Sequence, residues 1–329
     1  MTKIDTLIKY QFKIRLVAWH PEAGYQSRRK DEVFVILFIM DCPHCLIPLT
    51  IPVYEGPIRL GQPGTRSISN HVIESCETCG IAGLDRDPID YESDAYRITV
   101  DGNQGVTEFP QIHDWEQASL LGAIGTRGLA GTVVADVGCG GGRFLDLLAG
   151  FTKGPTIAIE PTASFHQELQ KKGHKTFDTT EHATVEWRHA IDLTVSFDVI
   201  EHVEDPTAFA RDLKSLGKPG GRVVVGTPNM DQLLLKLMPQ EFGSFFFREV
   251  HRWYFTPRSL ELSLESAGLK NIHVRSLQRY DFSNIACWLR DRRPTGNGAI
   301  DLPRILSANL ASALESLGMG EYLIAEATA

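Results

Sequence analysis

The chain predicts an α/β fold, a doubly wound sheet preceded by a small cysteine-rich module. Three observations carry the prediction. Short apolar segments alternate with segments of helical period from about residue 115 to residue 325. A glycine turn at Gly138, Gly140 and Gly142 joins the first of those apolar segments to the helix after it. Two Cys-x-x-Cys pairs, Cys42/Cys45 and Cys76/Cys79, stand upstream with thirty residues between them. The expected division is an arm or extension over 1–39, a ribbon module over 40–108 and the α/β domain over 109–329.

The arm fits neither module. It has a basic start, a polar stretch from Gln26 to Asp31 and an isolated apolar run from Val33 to Met40, which suggests a loosely attached segment or an extension upstream of a start at Met40. That apolar run is far shorter than the roughly 20 residues of a spanning helix. The N-terminus also lacks the charged, apolar and small-residue order of a secretory signal. A cytoplasmic chain with no membrane span is expected.

In the ribbon module each Cys-x-x-Cys pair brings two thiolates to one side of a tight turn, and two such turns supply four soft ligands for a closed tetrahedral site. The spacing predicts structural zinc on Cys42, Cys45, Cys76 and Cys79, with Gly56, Pro57, Gly61, Pro63 and Gly64 turning a hairpin or loop between the knuckles. A redox pair would need a βαβ setting and a disulfide pair an oxidising compartment. Of the two remaining cysteines, Cys139 is a small turn residue and Cys287 an apolar filler.

Trp115, Ala118, Leu121 and Ile124 recur at helical spacing and predict a helix ending by Gly128. Val133–Val137 is the first strand, and Phe144, Leu145, Leu147 and Leu148 mark the helix after the glycine turn. Thr156–Ile159 is the second strand, followed by a helix capped by Thr162 and then a third strand over His174–Phe177. Asp192–Phe197 is the fourth strand. Asp205 and Pro206 start the next helix, Pro219–Gly221 turns the chain, and Arg222–Gly226 is the fifth strand. Thr256 and Pro257 start another helix, and strands follow over Asn271–Leu277 and Tyr322–Ala325.

In such a sheet the ligand lies beyond the C-terminal ends of the strands. Two acids there select among nucleotide cofactors. Asp136 precedes the glycines, where a pyrophosphate would meet its charge and a cation is favoured instead. Glu160 closes the second strand, where an acid accepts hydrogen bonds from ribose hydroxyls. Together with Asp198-Val199-Ile200-Glu201-His202-Val203-Glu204-Asp205-Pro206 and Lys218-Pro219-Gly220-Gly221-Arg222-Val223-Val224-Val225, these residues resemble the class I S-adenosylmethionine-dependent methyltransferases. The resemblance spans roughly Trp115 to the C-terminus. It implies a Rossmann-like sheet of seven strands whose last strand runs antiparallel.

It further implies that Asp136, Gly138, Cys139, Gly140, Gly142 and Glu160 hold S-adenosylmethionine. Phe177 with Asp178, and Phe197 with Asp198, would flank its adenine and methionine parts. His202 is the candidate general base, since its ordinary pKa lies nearest neutrality, and Glu201 would orient it or bind acceptor hydroxyls. If the segment after the fourth strand is helical, Asp198, Glu201 and His202 share one face. The same segment resembles ubiquinone-pathway O-methyltransferases, in which matching positions can hold a divalent metal. The ribbon joined to this domain resembles bacterial sugar C-methyltransferases, so carbon and oxygen methylation both stay open.

The expected acceptor is a small hydroxylated molecule, a sugar or nucleotide-linked sugar. An RNA methyltransferase and a non-catalytic scaffold are the rivals. Residues 41–110 hold four Lys/Arg against eleven Asp/Glu in a chain of net charge −8, and an acidic module opposes phosphate backbones, so no nucleic-acid partner is expected. The aromatic segment 229–253 is a candidate lid. Arg279, Arg290, Arg292 and Arg293 are candidate grips for a phosphate or carboxylate, or a solvated face.

Overall fold

The computed structural model describes residues 13–19, 33–60, 67, 69–87, 89–91, 114–293 and 300–329. Within the expected arm, β1 (Lys13–Trp19) pairs antiparallel with β2 (Val33–Ile39), Lys13 opposite Ile39. The rest of the arm, and with it the question of a start at Met40, lies outside the described residues.

In the ribbon, β3 (Ile51–Gly56), β4 (His71–Ser75) and β5 (Ala82–Leu84) form an antiparallel meander. The hairpin expected between the knuckles is therefore β3 and β4. The α/β domain opens with α1 (Asp114–Ile124), β6 (Val134–Val137), α2 (Arg143–Thr152), β7 (Thr156–Ile159), α3 (His166–Lys171) and β8 (Lys175–Phe177). It continues through α4 (Thr180–Trp187), β9 (Ile191–Phe197), α5 (Pro206–Leu216) and β10 (Gly217–Pro228). Then come α6 (Leu233–Leu237), α7 (Pro239–Phe246), β11 (Trp253–Tyr254), α8 (Pro257–Ser266), β12 (Lys270–Leu277), α9 (Phe282–Asp291), α10 (Arg304–Ser316) and β13 (Tyr322–Thr328).

The main sheet has seven strands in the order β12-β13-β10-β9-β6-β7-β8. The five strands from β10 to β8 run parallel, and β13 is antiparallel to both of its neighbours. Its central strands are buried along their length, as a sheet covered by helices on both faces requires. One core packs α5 and α8 with Val223, Val225, Leu323 and Ala325; the opposite face packs α1 and α2 with Val134, Leu193, Val195 and Ile324. The strand order reverses between β7 and β9 on either side of β6, which opens a crevice beyond the end of β6.

The caps divide. Asp205 accepts from Thr207 N–H and Ala208 N–H at 2.8 and 2.9 Å, and Thr256 and Ser259 close a reciprocal cap on α8. Thr162 makes no side-chain cap; its hydroxyl donates to the Tyr91 carbonyl instead. The expected turn at Pro219–Gly221 lies inside β10, at an irregularity between Gly217 and Arg222.

The larger departure concerns the ribbon. β11, from the segment after β10, joins its sheet beside β5, with Trp253 opposite Gly83 and Tyr254 opposite Ala82. A third core unites ribbon residues Tyr54, Ile58, Ile73 and Leu84 with Phe242, Phe246, Phe247, Tyr254 and Trp288. Sequence-distant modules thus share one apolar interior and one sheet.

Candidate active site

The turn after β6 forces glycine at two positions. Gly138 has φ +77°, and a Cβ there would lie 2.3 Å from Val199 Cγ2. Gly142 has φ +76°, and a Cβ there would lie 2.5 Å from Leu169 Cδ2. Gly138 N–H donates to the Ile159 carbonyl at 2.7 Å, which ties the turn to the end of β7. The backbone from Gly138 to Gly141 consequently lines the crevice.

Two buried carboxyls face that backbone. Glu160 accepts from Gly140 N–H at 2.8 Å and from Thr162 N–H at 3.0 Å, one bond to each oxygen. Each carboxylate oxygen has a second lone-pair direction, so the group remains able to accept from a ligand. Burial, with Glu160 nearby, pushes Asp136 up to about 7. A cation placed beside it favours the ionised form. The Cys139 thiol is pushed well above its ordinary range by burial and by the same two acids, so it stays neutral.

The cavity here measures about 1220 Å³, larger than the roughly 300–1,000 Å³ of a site for one small ligand. One half is lined by Asp136, Gly138, Cys139, Gly140, Glu160 and Asp178. The other is lined by His202, Arg248, His251, the aromatic wall of Phe242, Phe245 and Trp288, and Arg59 and Tyr91 from the N-terminal module. Phe177, expected to flank the cofactor, is not among these residues. Its ring packs against the core and its carbonyl accepts from Glu160 N–H, so at the end of β8 it is Asp178, Thr179 and Thr180 that line the cavity.

Between the halves, the segment after β9 is a single turn rather than a helix. His202 N–H donates to the Val199 carbonyl, and Asp198 takes a left-handed φ of +56°. The expected common face of Asp198, Glu201 and His202 is therefore corrected. Ligand atoms of Glu201, His202 and His251 lie within 4.8 Å of one another, and Asp198 is replaced in that group by His251, from the segment before β11. Asp198 lines the cavity beside this group, its carboxyl pushed up by burial with Arg279 opposing.

Within the group, Glu201 Oε2 accepts from the Thr227 hydroxyl at 2.9 Å while Oε1 is buried without a hydrogen-bond partner. Burial, reinforced by Asp198, pushes Glu201 up to about 8. His251 is held well below its ordinary pKa by burial and by nearby positive side chains, which keeps it neutral. His202 Nδ1 lies 2.9 Å from the Val250 carbonyl, which can only accept, so Nδ1 carries the proton and Nε2 the lone pair.

A family model described as a methyltransferase domain matches residues 117–274. The chain is 30% identical over 175 residues to the ubiquinone biosynthesis O-methyltransferase of Neisseria meningitidis serogroup C (strain 053442), covering 49% of this chain and 74% of that protein. The chain belongs to the class I S-adenosylmethionine-dependent methyltransferases. It is also 30% identical over 177 residues to the mitochondrial ubiquinone biosynthesis O-methyltransferase of Homo sapiens, 49% of this chain and 47% of that one, so it spans about half of the human relative. The fold matches that of phosphoethanolamine N-methyltransferase 2 from Haemonchus contortus, solved with S-adenosyl-L-methionine, at a TM-score of 0.50 and 14% identity, over 75% of this chain and 62% of that one.

In this methyltransferase the four ribbon cysteines converge, with all four Sγ atoms within 4.8 Å of one another. A tetrahedron of roughly 2.3 Å zinc–sulfur bonds has edges near 3.8 Å, and Cys42 and Cys79 Sγ already stand 3.5 Å apart. The two knuckles repeat one backbone design. Leu46 N–H donates to the Cys42 carbonyl and Gly80 N–H to the Cys76 carbonyl, with φ +57° and +75° at the two donors. Donor set and geometry fit zinc. The hydrogen bond with Cys79 holds the Cys42 thiol well below its ordinary range, while burial and Cys42 push Cys45 up to about 11, so the four do not ionise together unless a divalent cation joins them. His44 Nε2 meets the Ser263 hydroxyl at 2.8 Å, fastening the first knuckle to α8.

The segment proposed as a lid is part wall and part core: Phe247 and Tyr254 are fully enclosed, whereas Phe245 borders the cavity. Three of the four arginines expected to grip an anion are engaged elsewhere, and Arg293 is exposed. Arg279 pairs with Glu321 at 2.9 and 3.1 Å and lies over the Tyr322 ring. Arg290 pairs with Asp291, and Arg292 with Glu241. Arg59 and Arg248 were not singled out from sequence, and His251 stood out there only as a member of the aromatic segment, with no role assigned to it.

Proposed function

We propose that this methyltransferase moves the methyl group of S-adenosylmethionine to a hydroxyl oxygen of a small acceptor. The observation that carries the reading is the single cavity running from the glycine turn and its two carboxyls to His202 and His251. Asp136, Gly138, Cys139, Gly140, Glu160 and Asp198 hold the cofactor in one half, with the charge of Asp136 favouring a cationic ligand, while Gly142, expected to bind it too, does not line the cavity and instead shapes the turn against Leu169. The acceptor hydroxyl approaches from the other half in line with the sulfur–methyl bond. Its oxygen bonds to the methyl carbon as that carbon leaves sulfur, and the hydroxyl proton passes to His202 Nε2. Glu201, uncharged near neutrality, hydrogen-bonds the acceptor.

The relatives reported above are named as ubiquinone-pathway O-methyltransferases, which supports oxygen over carbon as the methylated atom and weighs against the sugar expectation. A divalent metal suits the donors Glu201, His202 and His251, the partnerless Glu201 oxygen above all. When bound it would occupy His202 Nε2 and polarise acceptor hydroxyls, taking over the role that Nε2 has as a base in its absence. The four ribbon cysteines hold structural zinc, and the ribbon's task is to build the acceptor wall.

Incubation with methyl-labelled S-adenosylmethionine and a panel of catechols, phenols and hydroxylated sugar nucleotides tests this. Label in an ether-linked methyl group is expected. Label on carbon, or transfer only to RNA, overturns it, and tight cofactor binding without any transfer supports the scaffold alternative.

A further inference from the structure

The acceptor half of the cavity contains two arginines that, among the described residues, form no salt bridge. Arg59 follows β3 of the ribbon, and Arg248 follows α7. Their backbones form a parallel bridge, with Arg59 N–H donating to the Phe247 carbonyl and Glu249 N–H to the Arg59 carbonyl, both at 3.0 Å. Residues opposite one another in such a bridge send their side chains to the same side. Both line the cavity, and in both the Nε atom is buried without a hydrogen-bond partner. Among the described residues neither guanidinium has an acidic partner.

The neighbouring acids are spoken for or uncharged: Glu201, on which Arg248 acts, stays protonated near neutrality because burial and Asp198 push it up to about 8. Glu116 is bonded to the Tyr280 hydroxyl, Glu321 to Arg279, Glu241 to Arg292 and Glu204 to Arg252. Glu249, next to Arg248, is exposed. Arg59 Cζ lies 4.5 Å from the centroid of the Phe245 ring, a contact that steadies the guanidinium without using its donors.

Two like charges held side by side below the surface are unfavourable unless something compensates them. Burial and the adjacent Arg248 push Arg59 down to about 9. The fold nonetheless fixes both through backbone bonds, each from a different module. The compensating charge must therefore enter with a ligand.

We propose that Arg59 and Arg248 form a seat for a phosphoryl group carried by the acceptor, so that the substrate is a hydroxylated phosphate or pyrophosphate ester. This rests on the methyl-transfer reading above and adds the acceptor's class to it. Two guanidiniums match the charge of a phosphoryl dianion and offer forked donors to its oxygens, whereas a carboxylate would neutralise only one. The ester's remaining body lies along Phe242, Phe245 and Trp288. The ribbon supplies half of the seat, which accounts for its fusion to the catalytic domain.

Calorimetry on the full chain loaded with S-adenosylhomocysteine, titrated with inorganic pyrophosphate and separately with benzoate, tests the seat. Saturable pyrophosphate binding, tighter than benzoate, is expected, and Arg59→Met and Arg248→Met should each weaken it at least tenfold with S-adenosylhomocysteine affinity unchanged. Absence of pyrophosphate binding to the loaded wild type overturns the seat, as does unaltered binding in both variants. Benzoate binding as tightly as pyrophosphate overturns the phosphoryl assignment. Should a Met variant lose S-adenosylhomocysteine, Arg→Lys replaces it; a clear loss of pyrophosphate affinity then supports the seat and an unchanged affinity refutes it. Failure of the wild type to bind S-adenosylhomocysteine refutes the methyl-transfer reading itself.

Discussion

Asp136→Asn removes one charge from the cofactor half and leaves the shape of the side chain unchanged. The native Asp136 carboxyl is pushed from 3.8 up to about 7 by burial and Glu160. Between about pH 4 and 7 the unfolded chain has therefore released a proton that the native chain still holds. The unfolded state binds fewer protons, so stability falls as pH rises through this window, and the penalty is complete above the native value. A displacement of about three units, at roughly 1.4 kcal/mol each, gives on the order of 4 kcal/mol. Water entering the cavity lowers this to about 2 kcal/mol, and a domain of this size shifts by roughly 2–4 °C per kcal/mol. Thermal denaturation of ligand-free wild type and Asp136→Asn from pH 4.5 to 8.5 should show the variant gaining about 4–8 °C relative to wild type across the range. In the same protein the affinity for S-adenosylmethionine at pH 8 should fall about tenfold, since a cationic ligand loses one of the buried acids that line its half of the cavity. Parallel pH profiles together with unchanged affinity would refute the electrostatic role given to Asp136.

Gly142→Ala forces a side chain into a left-handed backbone and against Leu169, at a combined cost of about 2–5 kcal/mol; its melting temperature should drop by at least about 5 °C, and a smaller drop would contradict the turn geometry. Protein prepared without chelators should carry stoichiometric zinc by metal analysis, lost in Cys42→Ser, and a zinc-free native protein would contradict the ribbon assignment. His202→Ala should lower turnover by roughly 100-fold or more while cofactor affinity, read by calorimetry, is retained; retained turnover would remove the base role.

The parallel strands were legible because burial on both faces writes them as unbroken apolar runs, as in Thr156–Ile159, and because the caps at Asp205 and Thr256 use residues whose side chains can satisfy free N–H groups. The convergence of the four cysteines was legible from spacing alone. What escaped was long-range. His251 joins Glu201 and His202 only because β11 adds to the ribbon sheet, a pairing of Tyr254 with Ala82, 172 positions away, that no local pattern encodes. Arg59 faces Arg248 for the same reason. The expected helical face of Asp198 failed on one backbone angle, since a left-handed residue at the end of the strand breaks the helical spacing on which a common face depends. The arginines of the last inter-strand segment looked available in sequence because Glu321, which occupies Arg279, lies 42 residues further along.

The central claim is that the carboxyl-flanked glycine turn takes S-adenosylmethionine. Titration of the ligand-free protein with S-adenosylmethionine, S-adenosylhomocysteine and NAD by calorimetry tests it directly. One-to-one binding of the first two, with no heat from NAD, is predicted; no heat from either sulfur compound while NAD binds would contradict the account.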